Sequence, residues 1–418
     1  MYNKITLDNG VRIVSEKIDH VRSVSVGIWI GCGSRFETER ESGASHFIEH
    51  MLFKGTQQRS AADIAREMDV IGGQMNAFTT KECTCFYGRV LDMNLRKALD
   101  LLFDMFFCSS LSNEDAKSER DVICEEIDMY EDTPDDLVTE RLISEVYSGT
   151  CLESPILGTK ESLAAMDGDF LRDFKSRNYS PDNIVIAISG SFEWSDIDYI
   201  TERFSAMQAQ RAIEPVEAVY HPAFTVSEKP IEQNHLCVAF PGLPVGHKDR
   251  YAMQLLSSIL GGGMSSRLFQ TVREDHGLCY SIYTFGSGYS DTGIFGIYSA
   301  LSSETESKAL ELSVDVIEEL LKNGVTPDEL SRAREQVRSN VIMGLESTSG
   351  RMNKIGKNEL YCGKIPSTED TIKAYDAVTV EKINSLAERC LDFSKLSFSA
   401  VGQITDADKY RSILLSRA

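Results

Sequence analysis

Ala44-Ser45-His46-Phe47-Ile48-Glu49-His50-Met51-Leu52 has the apolar spacing of a helix packed into a core, yet it carries three ionisable side chains. His46 and His50 are four apart and so lie one turn apart on the same helix face, a spacing that suits two imidazoles on one zinc ion. Glu49 shares that face and is placed to take a proton from a metal-activated water. A carboxylate amid Phe47, Ile48, Met51, Leu52 and Phe53 is costly to bury without a metal or a hydrogen-bonded partner, which argues against a merely structural pair of histidines.

The flanking sequence surrounds this helix with strands. Lys4 to Leu7 and Val11 to Val14 read as a hairpin about Asp8-Asn9-Gly10, and Val24, Val26, Ile28 and Ile30 alternate along a further strand, so antiparallel sheet is expected. Downstream, Ser60 is an N-cap with Asp63 at the capping-box position, opening a helix to Val70 that Gly72-Gly73 stops. Gln74 to Leu91 alternates and is rich in β-formers, giving two strands or one hairpin, and helices follow at 94–108 and 113–130, the second capped by Ser112.

The stretch 207–230, with Pro215, Pro222 and Pro230, lacks helical or strand periodicity and reads as a linker. Beyond it the order of elements repeats: a strand at His235 to Phe240, an apolar helix at Tyr251 to Leu260, a break at Gly261-Gly262-Gly263, strands over Tyr280 to Ala300, and helices at 304–323 and 327–345. Such an echo implies internal duplication. The helix Tyr251 to Leu260 contains no His-x-x-Glu-His, so only the first half is expected to bind metal. The expected organisation is a catalytic domain over 1–210, a linker over 211–228 and a homologous domain without zinc over 229–418.

A catalytic zinc needs a third protein ligand and an open position for water. In Glu119-Arg120-Asp121-Val122-Ile123-Cys124-Glu125-Glu126, Glu119 and Glu126 lie two turns apart on one face while Glu125 is rotated by about 100°. Spacing alone leaves Glu119 and Glu126 as alternatives.

The reversed order His-x-x-Glu-His, followed by Met51-Leu52-Phe53-Lys54-Gly55-Thr56, resembles the inverzincin peptidases, the pitrilysin, insulinase and mitochondrial processing peptidase family, and the likeness runs over nearly the whole chain. Length favours the short-chain bacterial branch. The resemblance implies an α+β fold of two homologous halves, each a mainly antiparallel sheet with helices on one face, forming a clamshell around a chamber. It implies Glu126 as the third ligand of one Zn2+ per chain, Glu119 as a carboxylate that orients the site, Glu49 as general base, and Glu125 facing solvent. Asn76, Ala77 and Phe78 resemble an edge strand that pairs with an extended substrate. Arg273 and Tyr280 match a pair implied to bind the substrate backbone and to stabilise the oxyanion. The implied activity is that of an endopeptidase acting on peptides or presequence-like unstructured segments, in a homodimer or beside an inactive homologue. A non-catalytic scaffold or peptide-binding subunit and a zinc hydrolase of non-peptide substrates are the rival readings.

Composition narrows the classes further. Hydrophobic residues at 42% and charged residues at 26% fit a folded globular protein. A net charge of −21 disfavours a nucleic-acid partner and suits a solvated surface or an attraction for cationic peptides. No segment approaches the length of a membrane span, and the N-terminus lacks a signal-like apolar run, so a cytoplasmic protein is expected. The ten cysteines, Cys83 and Cys85 on one strand face among them, have no CxxC pair and read mostly as buried free thiols.

Overall fold

The computed structural model describes residues 2–404 and 406–416, which form two compact units. Neither unit is a contiguous half. The first comprises Met1–Asp128, Ser154–Val216 and Met343–Ser367; the second comprises Met129–Glu153, Glu217–Ile342 and Thr368–Ala418. Segment 343–367, expected in the second half, thus belongs to the first unit, and segment 129–153 to the second. Residues 208–223, within the expected linker region, have no regular secondary structure.

The first unit is built on a six-stranded sheet. Its strands are β1 (Asn3–Thr6), β2 (Arg12–Lys17), β3 (Ser23–Ile30), β4 (Gln74–Thr79), β5 (Thr84–Leu91) and β6 (Ile184–Gly190), in the order β1-β2-β6-β3-β5-β4. Only β2 and β6 run parallel; the other pairs are antiparallel. Against one face pack α1 (Ala44–Met51), α2 (Ala61–Ile71), α3 (Leu95–Cys108) and α4 (Asn113–Glu131), with α6 (Lys160–Ala164), α7 (Gly168–Asn178) and α8 (Trp194–Ser205) following α5 (Pro134–Val146) in the chain. Val24, Val26, Ile28 and Ile30 of β3 all enter this core, as their alternation requires.

The opposite face is not left to solvent. Trp29, Cys83, Cys85, Val185 and Ala187 form a second cluster with Met352, Ile355 and Ile365, the first two of these supplied by α12 (Thr348–Cys362). Helices on one face only is therefore corrected to helices on both. The cause lies in the other phase of β3: Ser25 bonds the hydroxyls of Thr348 (2.9 Å) and Ser349 (3.0 Å), Gly27 makes room for Met352, and Trp29 is fully buried. Polar ties hold the helix in register, Arg351 to Glu16 at 2.9 Å and the buried Glu359 to Lys4 at 2.7 Å.

The second unit repeats the plan. Strands β7 (Phe224–Glu228), β8 (Asn234–Pro241), β9 (Cys279–Gly288), β10 (Gly293–Leu301) and β11 (Ser397–Gly402) are ordered β7-β11-β8-β10-β9, again with one parallel pair, β7 and β11. This is the order β2-β6-β3-β5-β4 of the first unit with every direction kept. Leu236, Val238 and Phe240 of β8 face one core with α9 (Arg250–Gly261), α10 (Glu306–Asn323), α11 (Pro327–Gly344), α13 (Thr368–Asp376), α14 (Val380–Cys390) and α15 (Ala407–Leu415). Cys237 and Ala239 face Leu137, Val138, Leu142 and Val146 of α5. The chain thus repeats its element order, and α5 and α12 hold equivalent places in it. All ten cysteines are free, five of them buried, and no helix of the described residues is long and apolar enough to cross a membrane.

The fit of α12 on its sheet is tight enough to test. A Cβ at Gly356 would stand 2.4 Å from Nε1 of Trp29, a ring with no room to retreat, whereas one at Gly344 would meet nothing within 4 Å. Gly356→Ala is expected to destabilise the protein by about 1–3 kcal/mol through overpacking, outweighing the roughly 1 kcal/mol of helix propensity that alanine gains. Gly344→Ala should not lower the midpoint. Chemical denaturation of both variants checks this, and an unchanged midpoint for Gly356→Ala would remove the tight contact.

Candidate metal centre

α1 sorts its residues by face. Ala44, Phe47, Ile48 and Met51 enter the core, which turns His46, Glu49 and His50 toward α4 and the edge strand β4. The imidazole centroids of His46 and His50 are 4.6 Å apart. α4 starts at a Ser112 cap, whose hydroxyl accepts from the Asp115 N–H at 3.1 Å, and then runs past α1 for two turns with Glu119 and Glu126 facing the histidines.

The two glutamates do different things. Glu119, 4% exposed, accepts from Nδ1 of His50 at 2.9 Å. A carboxylate is an acceptor, so His50 carries its proton on Nδ1 and presents the Nε2 lone pair. The other Glu119 oxygen pairs with the Lys54 ammonium. Glu126 Oε2 instead stands 3.5 Å from Nε2 of His50 and 3.7 Å from Nε2 of His46. Glu125 is exposed.

These three atoms are too far apart to bond one another well and are spaced as ligands of one ion. Tetrahedral zinc with bonds of about 2.0–2.1 Å places its ligand atoms about 3.4 Å apart. Among the described residues, His46, His50 and Glu126 are the one group of three whose donor atoms could hold a metal. Two imidazole nitrogens and a carboxylate oxygen, with His50 oriented by a second carboxylate, are a donor set that suits zinc.

Electrostatics treat the two histidines differently. Burial, helped by the neighbouring His50, pushes the His46 imidazolium down, so this ring is neutral. Burial also opposes charge on His50, but Glu126 and Glu119 outweigh it and raise that group. Glu126 is lowered, chiefly by its interaction with His50. Burial raises Glu49, against the pull of a hydrogen bond from the Thr79 hydroxyl at 2.5 Å. Glu49 thus sits beside the cluster without joining it, its carboxylate steered by the last residue of β4.

β4 is an edge strand, paired among the described residues only with β5. Asn76 is exposed, its side-chain oxygen accepting from the Ala77 N–H at 2.9 Å, while Phe78 packs against Trp29 and Tyr87. Arg273 and Tyr280 belong to the second unit. The Arg273 guanidinium lies 5.0 Å from the centroid of the Tyr280 ring, which is 75% exposed at the start of the edge strand β9. Sequence reasoning gave no role to Lys54 or Thr79. Lys54 lies beyond the end of α1, so helical spacing does not place it, and Thr79 becomes informative only once β4 is laid beside α1.

Comparison with known proteins agrees with this layout. A family model described as Insulinase (Peptidase family M16) matches residues 12–160, and one described as Peptidase M16 inactive domain matches 165–337. The uncharacterized zinc protease YmxG of Bacillus subtilis is 44% identical over 390 residues, covering 93% of this chain and 95% of that protein. An uncharacterized zinc protease of Streptomyces coelicolor is 37% identical, over 98% of this chain and 91% of its own. In fold, the chain is similar to the peptidase M16 inactive domain from Pseudomonas fluorescens (TM-score 0.90, 21% identity, 97% and 98% of the two chains) and to a protease from Helicobacter pylori (0.89, 20%, 96% and 99%). With sequence likeness of this extent to short bacterial relatives, the chain belongs to peptidase family M16, the insulinase family.

Proposed function

We propose that this protein is a zinc-dependent endopeptidase, with the metal held by His46, His50 and Glu126 and with Glu49 as general base. The observation that carries the reading is the convergence of two Nε2 atoms on one Glu126 oxygen at 3.5 and 3.7 Å, with a raised carboxyl, Glu49, on the same helix face. Bound zinc would supply a Lewis acid that polarises a peptide carbonyl and acidifies water.

The chain's own groups do the rest. Glu49 accepts the proton of the attacking water and passes it to the leaving amine, a role suited to a carboxyl raised by burial. Thr79 holds that carboxylate in place. Glu119 keeps His50 in the tautomer that offers Nε2, and Lys54 pairs with the other oxygen of Glu119. An extended substrate adds to the free edge of β4 at Asn76, Ala77 and Phe78, through backbone hydrogen bonds that favour unstructured peptides. Arg273 binds the substrate backbone and Tyr280 stabilises the oxyanion, and the working form is a homodimer; these assignments rest on the family resemblance.

Elemental analysis alongside cleavage of a quenched, unstructured peptide library tests the assignment. Wild type and Glu49→Gln should hold about one zinc per chain and Glu126→Ala little. Chelation should abolish cleavage, and Glu49→Gln should lose at least about a hundredfold in kcat. Zinc-free, inert wild type would sink the proposal, and full turnover by Glu49→Gln would unseat the general base.

Two further variants separate binding from chemistry. Glu119→Gln should weaken zinc affinity by about ten- to hundredfold, as loss of a partner to a ligating histidine does. Arg273→Ala should raise KM with kcat nearly unchanged, and an unaltered KM over a range of peptides would take it out of substrate binding.

A further inference from the structure

The two histidines of α1 are oriented by different means. His50 is held through its ring, by Glu119 at 2.9 Å. His46 has no such partner: its Nδ1 is buried and makes no hydrogen bond among the described residues. Its place therefore depends on the backbone that carries it, the first turn of α1.

That turn begins in a way that forbids an ordinary cap. The N-cap position is Gly43, at φ +96°, and a Cβ there would stand 2.7 Å from the Leu157 carbonyl oxygen. With no side chain, Gly43 offers nothing to the unpaired N–H groups that open every helix. Glu37, six residues earlier, reaches in instead. One of its carboxylate oxygens accepts from the Gly43 N–H and the other from the Ser45 N–H, each at 2.7 Å. Glu37 is 6% exposed. Burial pushes the Glu37 carboxyl up to about 7, against the pull of these two hydrogen bonds, and its oxygens lie where the helix dipole is positive.

We infer that Glu37 is the positioning residue for His46: a carboxylate cap supplied from outside the helix, which fixes the first turn of α1 and so aims Nε2 of His46 at the metal position. The inference rests on the proposed zinc site and adds to it a residue that touches neither metal nor substrate. A side chain buried at this distance from the chemistry would otherwise be taken for part of the core. The pairing of its two oxygens with two N–H groups of the opening turn, one of them on the residue before His46, gives it a more specific task.

Glu37→Gln keeps the shape but replaces one acceptor with an N–H2 group that faces a backbone donor. The readout is the zinc dissociation constant of the folded protein, from competition with a chromophoric chelator, together with the visible spectrum of the Co2+ form and the unfolding midpoint of the metal-free form. A weakening of zinc binding by about ten- to hundredfold, with an altered Co2+ spectrum, is expected. A lowered midpoint with zinc affinity and Co2+ spectrum as in wild type would mean that Glu37 only stabilises the fold, and would overturn the inference. Should Glu37→Gln fail to fold, Glu37→Asp, which retains the charge and shortens the reach, is measured in the same way with the same two outcomes. Wild type serves as the reference: if it binds no zinc, the peptidase reading and this inference fall together, whereas tight binding by wild type and variant alike removes the inference alone.

Discussion

The site depends on holding like acceptors face to face. Two imidazole lone pairs and a carboxylate oxygen converge within a half-buried space at 3.5 and 3.7 Å, separations too long for good hydrogen bonds and too short for indifference. At these separations the trio does not close tightly on itself, so the scaffold sets the arrangement. It does so through two helices from distant parts of the sequence, α1 and α4, each packed by an apolar face on the same sheet. The Glu119 to His50 bond and the Lys54 to Glu119 pair then tie the polar faces together. Such fixed polarity, prepared before any ligand arrives, is what makes electrostatic catalysis effective.

Rigidity on that scale needs a sheet that cannot flex, and here the covering of both faces matters. β3 is buried along seven of its eight residues because α12 seals the side that the first-half helices leave open. Trp29 is the centre of this second layer, filling space left by Gly27 and Gly356 and touching Phe78 of the edge strand. Packing on the second face is thus continuous with the residues proposed to receive substrate. The same device serves the second unit, where α5 seals β8 and β11.

Much of the candidate metal site was legible in the chain because helical spacing is local: His46 and His50 had to share a face, and Glu119 and Glu126 had to share another. Choosing between the two glutamates was not a local question. Their separation along α4 is the same from either end, and only the position of α1 beside that helix makes one a partner of Nδ1 and the other a neighbour of both Nε2 atoms. The alternation of β3 was equally plain, but it specifies two faces without saying what covers the second. The exchange of segments 129–153 and 343–367 between units escaped a reading that cut the chain at its least periodic stretch, because helix patterns record an apolar face and not the sheet it will meet. Thr79 and Glu37 act through hydroxyl and carboxylate contacts across 30 and 8 residues or fewer, and no periodicity announces either.

The second unit shows what the same framework looks like without a metal to hold. Matching buried residues, Ala44, Phe47, Ile48, Met51 and Leu52 correspond in spacing to Ala252, Leu255, Leu256, Ile259 and Leu260 of α9. Gln254, Ser257 and Ser258 then stand in the places of His46, Glu49 and His50. The edge strands agree: Thr79 of β4 bonds Glu49, and Thr284 of β9 bonds Ser257 at 2.9 Å. On α11, Arg334 bonds the Val378 carbonyl as Arg120 of α4 bonds that of Met166, which puts Ala333 at the place of Glu119 and Asn340 at that of Glu126. Every ionisable group of the first site has an uncharged counterpart, and α9 is satisfied by neutral bonds, Gln254 with Tyr375 and Ser258 with Gln336 at 2.8 Å. A cluster of partly buried charges is tolerable where an ion completes it and a liability where none does. This framework thus carries the charged set in one unit and a neutral counterpart in the other.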